Sequence, residues 1–211
     1  MTAYRLLVLT SGLAATMAAA PIAISNTGTT APGTVDPNWT ITSPAGSAGS
    51  AFVTVEDGFP IGPWVANSAL SRWIQPDSAT AENQAATTFV YRTSFSLAGL
   101  VVSSAELNFR ASADNQITAV RLNGNSVGFS FLNLAAFSGT FQVTTDAWFN
   151  AGNNVLEFDV LNFDIGPNPS GLRVEITGTA DAIPGVVPEP ATFLLAAPVL
   201  AAMYLRGRRA A

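Results

Sequence analysis

Apolar and polar residues alternate through the middle of this chain. In residues 88–97, Phe89, Tyr91, Thr93, Phe95 and Leu97 share one face, while Val90, Arg92, Ser94 and Ser96 share the other. Residues 105–113 repeat the pattern, with Ala105, Leu107, Phe109 and Ala111 set against Glu106, Asn108, Arg110 and Ser112. Leu156, Phe158 and Val160 alternate with Glu157 and Asp159, and Leu172, Val174 and Ile176 with Arg173, Glu175 and Thr177. A period of two sends successive side chains to opposite faces, so each stretch predicts a half-buried strand with its large apolar residues inward. Residues 117–122 and 126–131 flank Asn123-Gly124. Both of those residues tolerate positive φ, so a hairpin is expected there. Residues 51–55 alternate briefly, and residues 145–150 offer one helical turn at most. No stretch of the body keeps a 3.6-residue period for ten residues. The expected fold class is all-β: a single β-sandwich or jelly roll of about eight strands separated by polar turns.

The two ends break this pattern. Arg5 precedes an apolar run, 6–20, rich in Leu and Ala; small residues follow at Ala18-Ala19-Ala20 and at Ala23-Ile24-Ser25. This is the order of a secretory signal peptide, and a run of this length fits a signal better than a membrane span. A cut after Ala20 would place Pro21 directly behind it, so cleavage is expected after Ser25. At the other end, Val187-Pro188-Glu189-Pro190 leads into an uncharged run, 191–205, and then Arg206, Arg208 and Arg209. The prolines keep residues 187–190 out of a regular helix or sheet. The run has no polar face and predicts a short hydrophobic helix; the arginines supply the flank that holds such a helix at the cytoplasmic face. It is shorter than the span of about 20 residues that a bilayer core asks for, and a snorkelling Arg206 extends it. The expected organisation is a signal peptide (1–25), an extended Thr/Gly/Pro/Ser-rich lead-in (26–50) with one strand-like patch at Trp39-Thr40-Ile41-Thr42, a β-sandwich (51–182) and a sorting tail (183–211).

Composition narrows the chemistry. The 211 residues include no Cys and no His. Without Cys, an exported chain has no disulfides and is held by packing alone. Without His, the commonest general base and metal ligand are missing. Together these exclude a Ser-His-Asp triad, a Cys nucleophile and the usual zinc sites. All nine basic residues are Arg; residues 26–187 hold five of them against thirteen acids, a net charge of −8. Such a body excludes nucleic acid as a partner, because phosphate binding needs basic patches.

The tail, with its Val187-Pro188-Glu189-Pro190, apolar run and terminal arginines, resembles the PEP-CTERM sorting signal of Gram-negative bacteria. The resemblance covers residues 187–211, and the sequence departs from the pattern at Pro198 within the run and Gly207 between the arginines. It implies recognition at the inner membrane by an exosortase-type processing enzyme, with transient or lasting anchoring there by the tail. It also implies delivery to the cell envelope, the surface or the exopolysaccharide matrix. It supplies an address rather than an activity.

A second series occurs in the body. Trp73-Ile74, Tyr91-Arg92-Thr93-Ser94-Phe95, Ala113-Asp114-Asn115, Leu122-Asn123-Gly124, Gly152-Asn153-Asn154-Val155-Leu156 and Asn168-Pro169-Ser170-Gly171-Leu172 fall in that order. The series is similar to the galactose-binding-like jelly rolls that accompany secreted glycosidases, and it covers residues 64–180. The resemblance implies a jelly roll, a polysaccharide or sugar partner and, in many such modules, one structural calcium. Trp64, Trp73, Trp148 and Phe149 are the candidate sugar-stacking residues; the competing expectation for each is packing in the core or over one end of it. Trp148-Phe149 falls in a loop and is the better placed. Asp114 and Asn115 offer oxygen ligands for calcium, against an Asx-turn that would use the same atoms. Glu157 and Asp159 share a solvent face. A glycosidase sets two carboxylates about 5–10 Å apart, but any such neighbours meet that distance, so the pair carries no weight. The chain is expected to be no enzyme: an exported protein, structural or adhesive in exopolysaccharide. The alternatives are a carbohydrate-binding module using exposed aromatics and an Asp/Glu hydrolase.

Overall fold

Phe158 and Phe109 meet with ring centroids 5.3 Å apart, and this contact joins the two layers of the molecule. Each ring comes from the apolar face of an alternating strand. The computed structural model describes residues 18–42, 48–54, 62–76, 82, 84–144, 146–163 and 168–184. These hold eleven strands: β1 (Ala19–Pro21), β2 (Val35–Thr42), β3 (Ala48–Val53), β4 (Ile74–Gln75), β5 (Thr88–Ser96), β6 (Glu106–Asp114), β7 (Gln116–Leu122), β8 (Asn125–Ser126), β9 (Phe141–Val143), β10 (Asn153–Leu161) and β11 (Gly171–Asp181). They pair in the order β8-β7-β10-β5-β2-β3-β4-β11-β6-β9, with β1 on β11. Every pairing is antiparallel. The sheet curls so that β7, β10 and β5 face β11, β6 and β9, while β2, β3 and β4 carry the hydrogen bonding round the side. This is the all-β jelly-roll sandwich that the alternation predicts.

Phe89, Tyr91, Phe95, Leu107, Phe109, Leu156, Phe158, Leu172, Val174 and Ile176 all point inward, as their period requires. At the expected hairpin Asn123 has φ 50° and Gly124 φ 84°, the left-handed pair that a two-residue turn needs. β8 is only two residues long, and the hairpin resumes in a bridge between Ile117 and Phe131. The expected helical turn is a single 3-10 turn over Asp146–Trp148.

The expected lead-in lies inside the fold. β2 and β3 are interior strands of the sheet, and Trp39 of β2 is fully buried against Phe158. The strand-like patch of residues 39–42 is the end of β2, where Thr40 and Thr42 pair with β5; the start of the strand, 35–38, has no such pattern. Residues 19–27 likewise run along β11. The sorting motif (Val187, Pro188, Glu189, Pro190, Arg206, Arg208, Arg209) lies outside the described residues, as do residues 1–17. Among the described residues, no helix is long and apolar enough to cross a membrane.

One core residue carries an unmet polar group. Tyr91 is fully buried, and its hydroxyl has no hydrogen-bond partner among the described residues. Burial pushes its phenol far above the ordinary value. Tyr91→Phe keeps the ring and removes the orphan, so stability is expected to hold or rise by up to about 1 kcal/mol. Urea unfolding reads this directly, and a loss of similar size would contradict it.

Candidate functional site

The outer face of β6 and β11 collects most of the polar chemistry. Alternation sends Asn108, Arg110, Ser112 and Asp114 outward from β6, and Arg173, Glu175 and Thr177 outward from β11; the register sets Arg110 opposite Glu175 and Ser112 opposite Arg173. Two loops lie across this face, one around residues 62–73 and one around 131–140. They meet where the Val65 N–H donates to the Leu134 carbonyl at 2.8 Å. The face is therefore closed at one end and open at the other.

At the closed end Trp64 and Trp73 lie together, ring centroids 4.3 Å apart, with Val65 and Leu134 against them. Gly171 makes room for the pair: a Cβ there would come within 2.9 Å of the Trp64 ring. The Trp64 indole N–H donates to Asp114 Oδ2 at 2.7 Å, and that of Trp73 to the Val65 carbonyl at 2.8 Å. In the middle, Arg173 is 1% exposed. Its Nε donates to Ser71 Oγ at 2.8 Å, its Nη2 to Ser68 Oγ at 2.9 Å, and its Nη1 to the carbonyls of Val65 and Ala66. Glu175 sits 3.5 Å away and takes a second charge from Arg110 at 2.6 Å. The Phe137 ring stacks on both guanidinium groups, at 4.5 Å from Arg110 and 4.8 Å from Arg173. At the open end lies a cleft of about 260 Å³, walled by Leu70, Asn108, Arg110, Thr140, Glu175 and Thr177.

Electrostatics follow the same gradient. Burial would raise the Glu175 carboxyl, but hydrogen bonds from Arg110 and Ser71 and the charges of Arg110 and Arg173 outweigh it and hold the group below its ordinary value. Asp114 goes the other way: burial raises it, and the Trp64 hydrogen bond only partly offsets this. A raised carboxyl in the folded state contributes stability that is fully present below the unfolded value and is lost as pH rises through the folded one. Asp114→Asn keeps a carbonyl oxygen for Trp64 and removes that titration. The variant is expected to gain on wild type in melting midpoint between about pH 3 and about pH 7. A difference that does not vary with pH would contradict the burial argument.

Several sequence expectations are corrected here. Trp73 and Phe149 do not present ring faces to a sugar. Trp73 is fully buried beside Trp64, and Phe149 packs on Phe95 with ring centroids 6.3 Å apart. Trp148 is half-buried against the core, on the 3-10 turn whose last carbonyl takes the Asn123 side-chain amide at 2.7 Å. The oxygens of Asp114 and Asn115 face N–H donors. Asp114 accepts from Trp64 and from the Asn115 amide at 2.7 Å, and Asn115 Oδ1 accepts from the Phe163 N–H at 2.9 Å. This arrangement satisfies hydrogen bonds and does not fit calcium, which takes six to eight free oxygens; among the described residues no three acidic groups converge on a cation site. On the opposite sheet, Glu157 is bridged to Arg92 at 2.6 Å and Arg121 at 3.5 Å, and Asp159 to Arg121.

Sequence reasoning missed Arg173 and Leu70. The outward assignment of Arg173 is right; what buries it is a loop more than a hundred positions earlier, for which β11 carries no local signal. No protein-family model matches the sequence. No curated protein matches it either. Among solved structures the chain is similar to an FMN-binding β-glucuronidase from Facaelibacterium prausnitzii L2-6, at 16% identity and a TM-score of 0.35 over 68% of this chain. It spans only 22% of that enzyme's length. It is also similar to CBM35 from Paenibacillus barcinonensis, at 17% identity and a TM-score of 0.33 over 67% of this chain and 94% of that one.

Proposed function

We propose that the chain is an exported, non-catalytic β-sandwich protein, addressed by its C-terminal signal to the cell surface or extracellular matrix and structural or adhesive within exopolysaccharide. The observation that carries the address is the fixed order of Val187-Pro188-Glu189-Pro190, an uncharged run and three arginines. The non-catalytic part is supported by the pairing of the outward carboxylates. Glu157, Asp159 and Glu175 are each bridged to arginine on an open sheet face. A general acid or base must exchange a proton with a substrate, and a carboxylate held in such a bridge is poorly placed to do so. The partners in this reading are an exosortase-type enzyme and the inner membrane during sorting. The test is fractionation and intact mass of the protein from its native host. A chain shortened at the 187–190 region and recovered in the surface or matrix fraction is the expected result; a full-length tail in the inner membrane would refute it.

A second reading, carbohydrate binding, is favoured by the cleft at the open end of β6 and β11. It sets the exposed Leu70 beside the hydroxyls of Thr140 and Thr177 and the Arg110–Glu175 pair. An apolar wall next to planar polar groups suits a sugar ring with its mixed CH and OH surface. Affinity electrophoresis in the host polysaccharide tests it. Retardation that Leu70→Ala abolishes would support this reading, and unretarded migration of the wild type would end it.

A further inference from the structure

The N-terminal segment does more than lead into the fold. Ala19, Ala20 and Pro21 pair with Asp181, Ala180 and Thr179 of β11. The Ile22 N–H then donates to the Gly178 carbonyl at 2.9 Å, and the Ile176 N–H donates to Asn26 Oδ1 at 2.7 Å. The Thr27 N–H bonds the Val174 carbonyl at 3.1 Å, and the Val174 N–H returns to Thr27 Oγ1 at 2.9 Å. Residues 19–27 thus line the edge of β11 opposite β6 from Val174 to Asp181, and β4 takes up the remainder at Leu172. Ile22 is buried in the main core, and Ile24 packs against it. Gly178 permits this approach, since a Cβ there would stand 3.1 Å from the Cβ of Ile22. From the other side, the Trp39 indole N–H donates to the Ser25 carbonyl at 3.2 Å and lies 3.3 Å from that of Asn26.

A cut after Ser25, the site the sequence favours, would remove Ile22 from the core and expose the unpaired edge of β11. We propose instead that the leader is cut at Ala18–Ala19 and that the mature chain keeps Ala19–Ser25 as part of the sandwich. Small residues stand at the two positions such a cut requires, Thr16 and Ala18. The alternative bond at Ala20–Pro21 places proline immediately after the cut and divides β1. The peptidase site then falls at the start of β1, with the loss of one further bond, from the Ala182 N–H to the Ala18 carbonyl at 3.1 Å, and the later Ala23-Ile24-Ser25 site lies inside the folded body, between the β11 bonds of Ile22 and Asn26.

This proposal rests on the export reading, and one experiment separates the two. The native host expresses full-length wild type, Ala18→Leu and Ser25→Leu, and the N-terminal residue of each is read from the envelope, extracellular and cytoplasmic fractions. Exported wild type is expected to begin at Ala19. Ala18→Leu is expected to accumulate as the leader-bearing precursor, while Ser25→Leu is processed as completely as wild type. Exported protein beginning at Pro21 or Asn26, or a processing block caused by Ser25→Leu, would overturn the proposal while leaving export intact. Unprocessed wild type confined to the cytoplasm would overturn both.

Discussion

Arg173→Met is expected to destabilise the protein by about 2 kcal/mol, and to do so through one loop. Methionine nearly fills the space of the arginine stem, so the loss is polar rather than a cavity. The guanidinium serves the carbonyls of Val65 and Ala66 and the hydroxyls of Ser68 and Ser71. Only the Ser71 hydroxyl among these acceptors is on a buried residue, and the Val65 carbonyl keeps the Trp73 indole N–H, so the loss is that of several part-buried hydrogen bonds to a charged donor. Glu175 is not orphaned, because Arg110 and Ser71 still bond it. That retained pairing keeps the cost below that of leaving a buried charge uncompensated. Urea unfolding gives the magnitude, and hydrogen exchange gives the location: faster exchange in residues 64–73, with β5 and β10 unchanged. A loss below about 1 kcal/mol, or exchange that rises evenly over the sandwich, would show that Arg173 does not clamp this loop.

Phe158→Ala is the second large effect, about 3–5 kcal/mol. Phe158 is fully buried, and its ring touches Phe109 across the two layers and Trp39 at 5.9 Å along the curl. Three strands, β10, β6 and β2, no two of them paired directly with each other, therefore meet on one side chain. Truncation leaves a void that none of them can close without moving its whole strand, so little of the cavity is relieved by relaxation. The midpoint of thermal unfolding should fall by roughly 10 °C in a domain of this size. Phe89→Ala is the comparison. Phe89 lies near the end of β5 at 7% exposure, where water and neighbouring side chains can fill the gap, so a smaller loss is expected. Equal losses for the two would mean that the void, rather than its place between layers, sets the cost.

The strands that could be read from the sequence are those whose own residues alternate. β5, β10 and β11 each place three large apolar side chains on one face, β6 places Leu107 and Phe109 with two alanines, and burial follows the pattern. The hairpin was legible because Asn-Gly names its own turn geometry. β2 was legible only at its end, where Trp39, Thr40, Ile41 and Thr42 alternate; Val35, Asp36, Pro37 and Asn38 carry no such pattern, and their strand comes from pairing within the sheet. The candidate site failed for a related reason. Side-chain type marked Trp64 and Trp73 as sugar-stacking candidates. Their burial depends on Gly171 and Asp114, each at least forty residues away, and no local pattern reports such a partner. The stretch Ala18–Ser25 is harder still. Small and apolar residues suit both the end of a leader and a strand on a sheet edge, so composition alone cannot place the boundary.

The pairing of Ala19 with Asp181 also sets a direction for the molecule. The chain leaves the sandwich after β11 beside the point where residue 18 enters it, at one end of that strand. β11 is an 11-residue strand, so its far end, at Gly171, stands about 35 Å from that point. Any tether attached through the C-terminal segment therefore orients the sandwich like a post. The Trp64–Trp73 cap and the hydrogen-bonded asparagines Asn115, Asn162 and Asn168, from three separate segments, lie toward its tip, while the β1 edge is kept against the base. A macromolecule approaching the end away from such a tether would meet the cap first and the Arg110–Glu175 cleft, lower on the side, second.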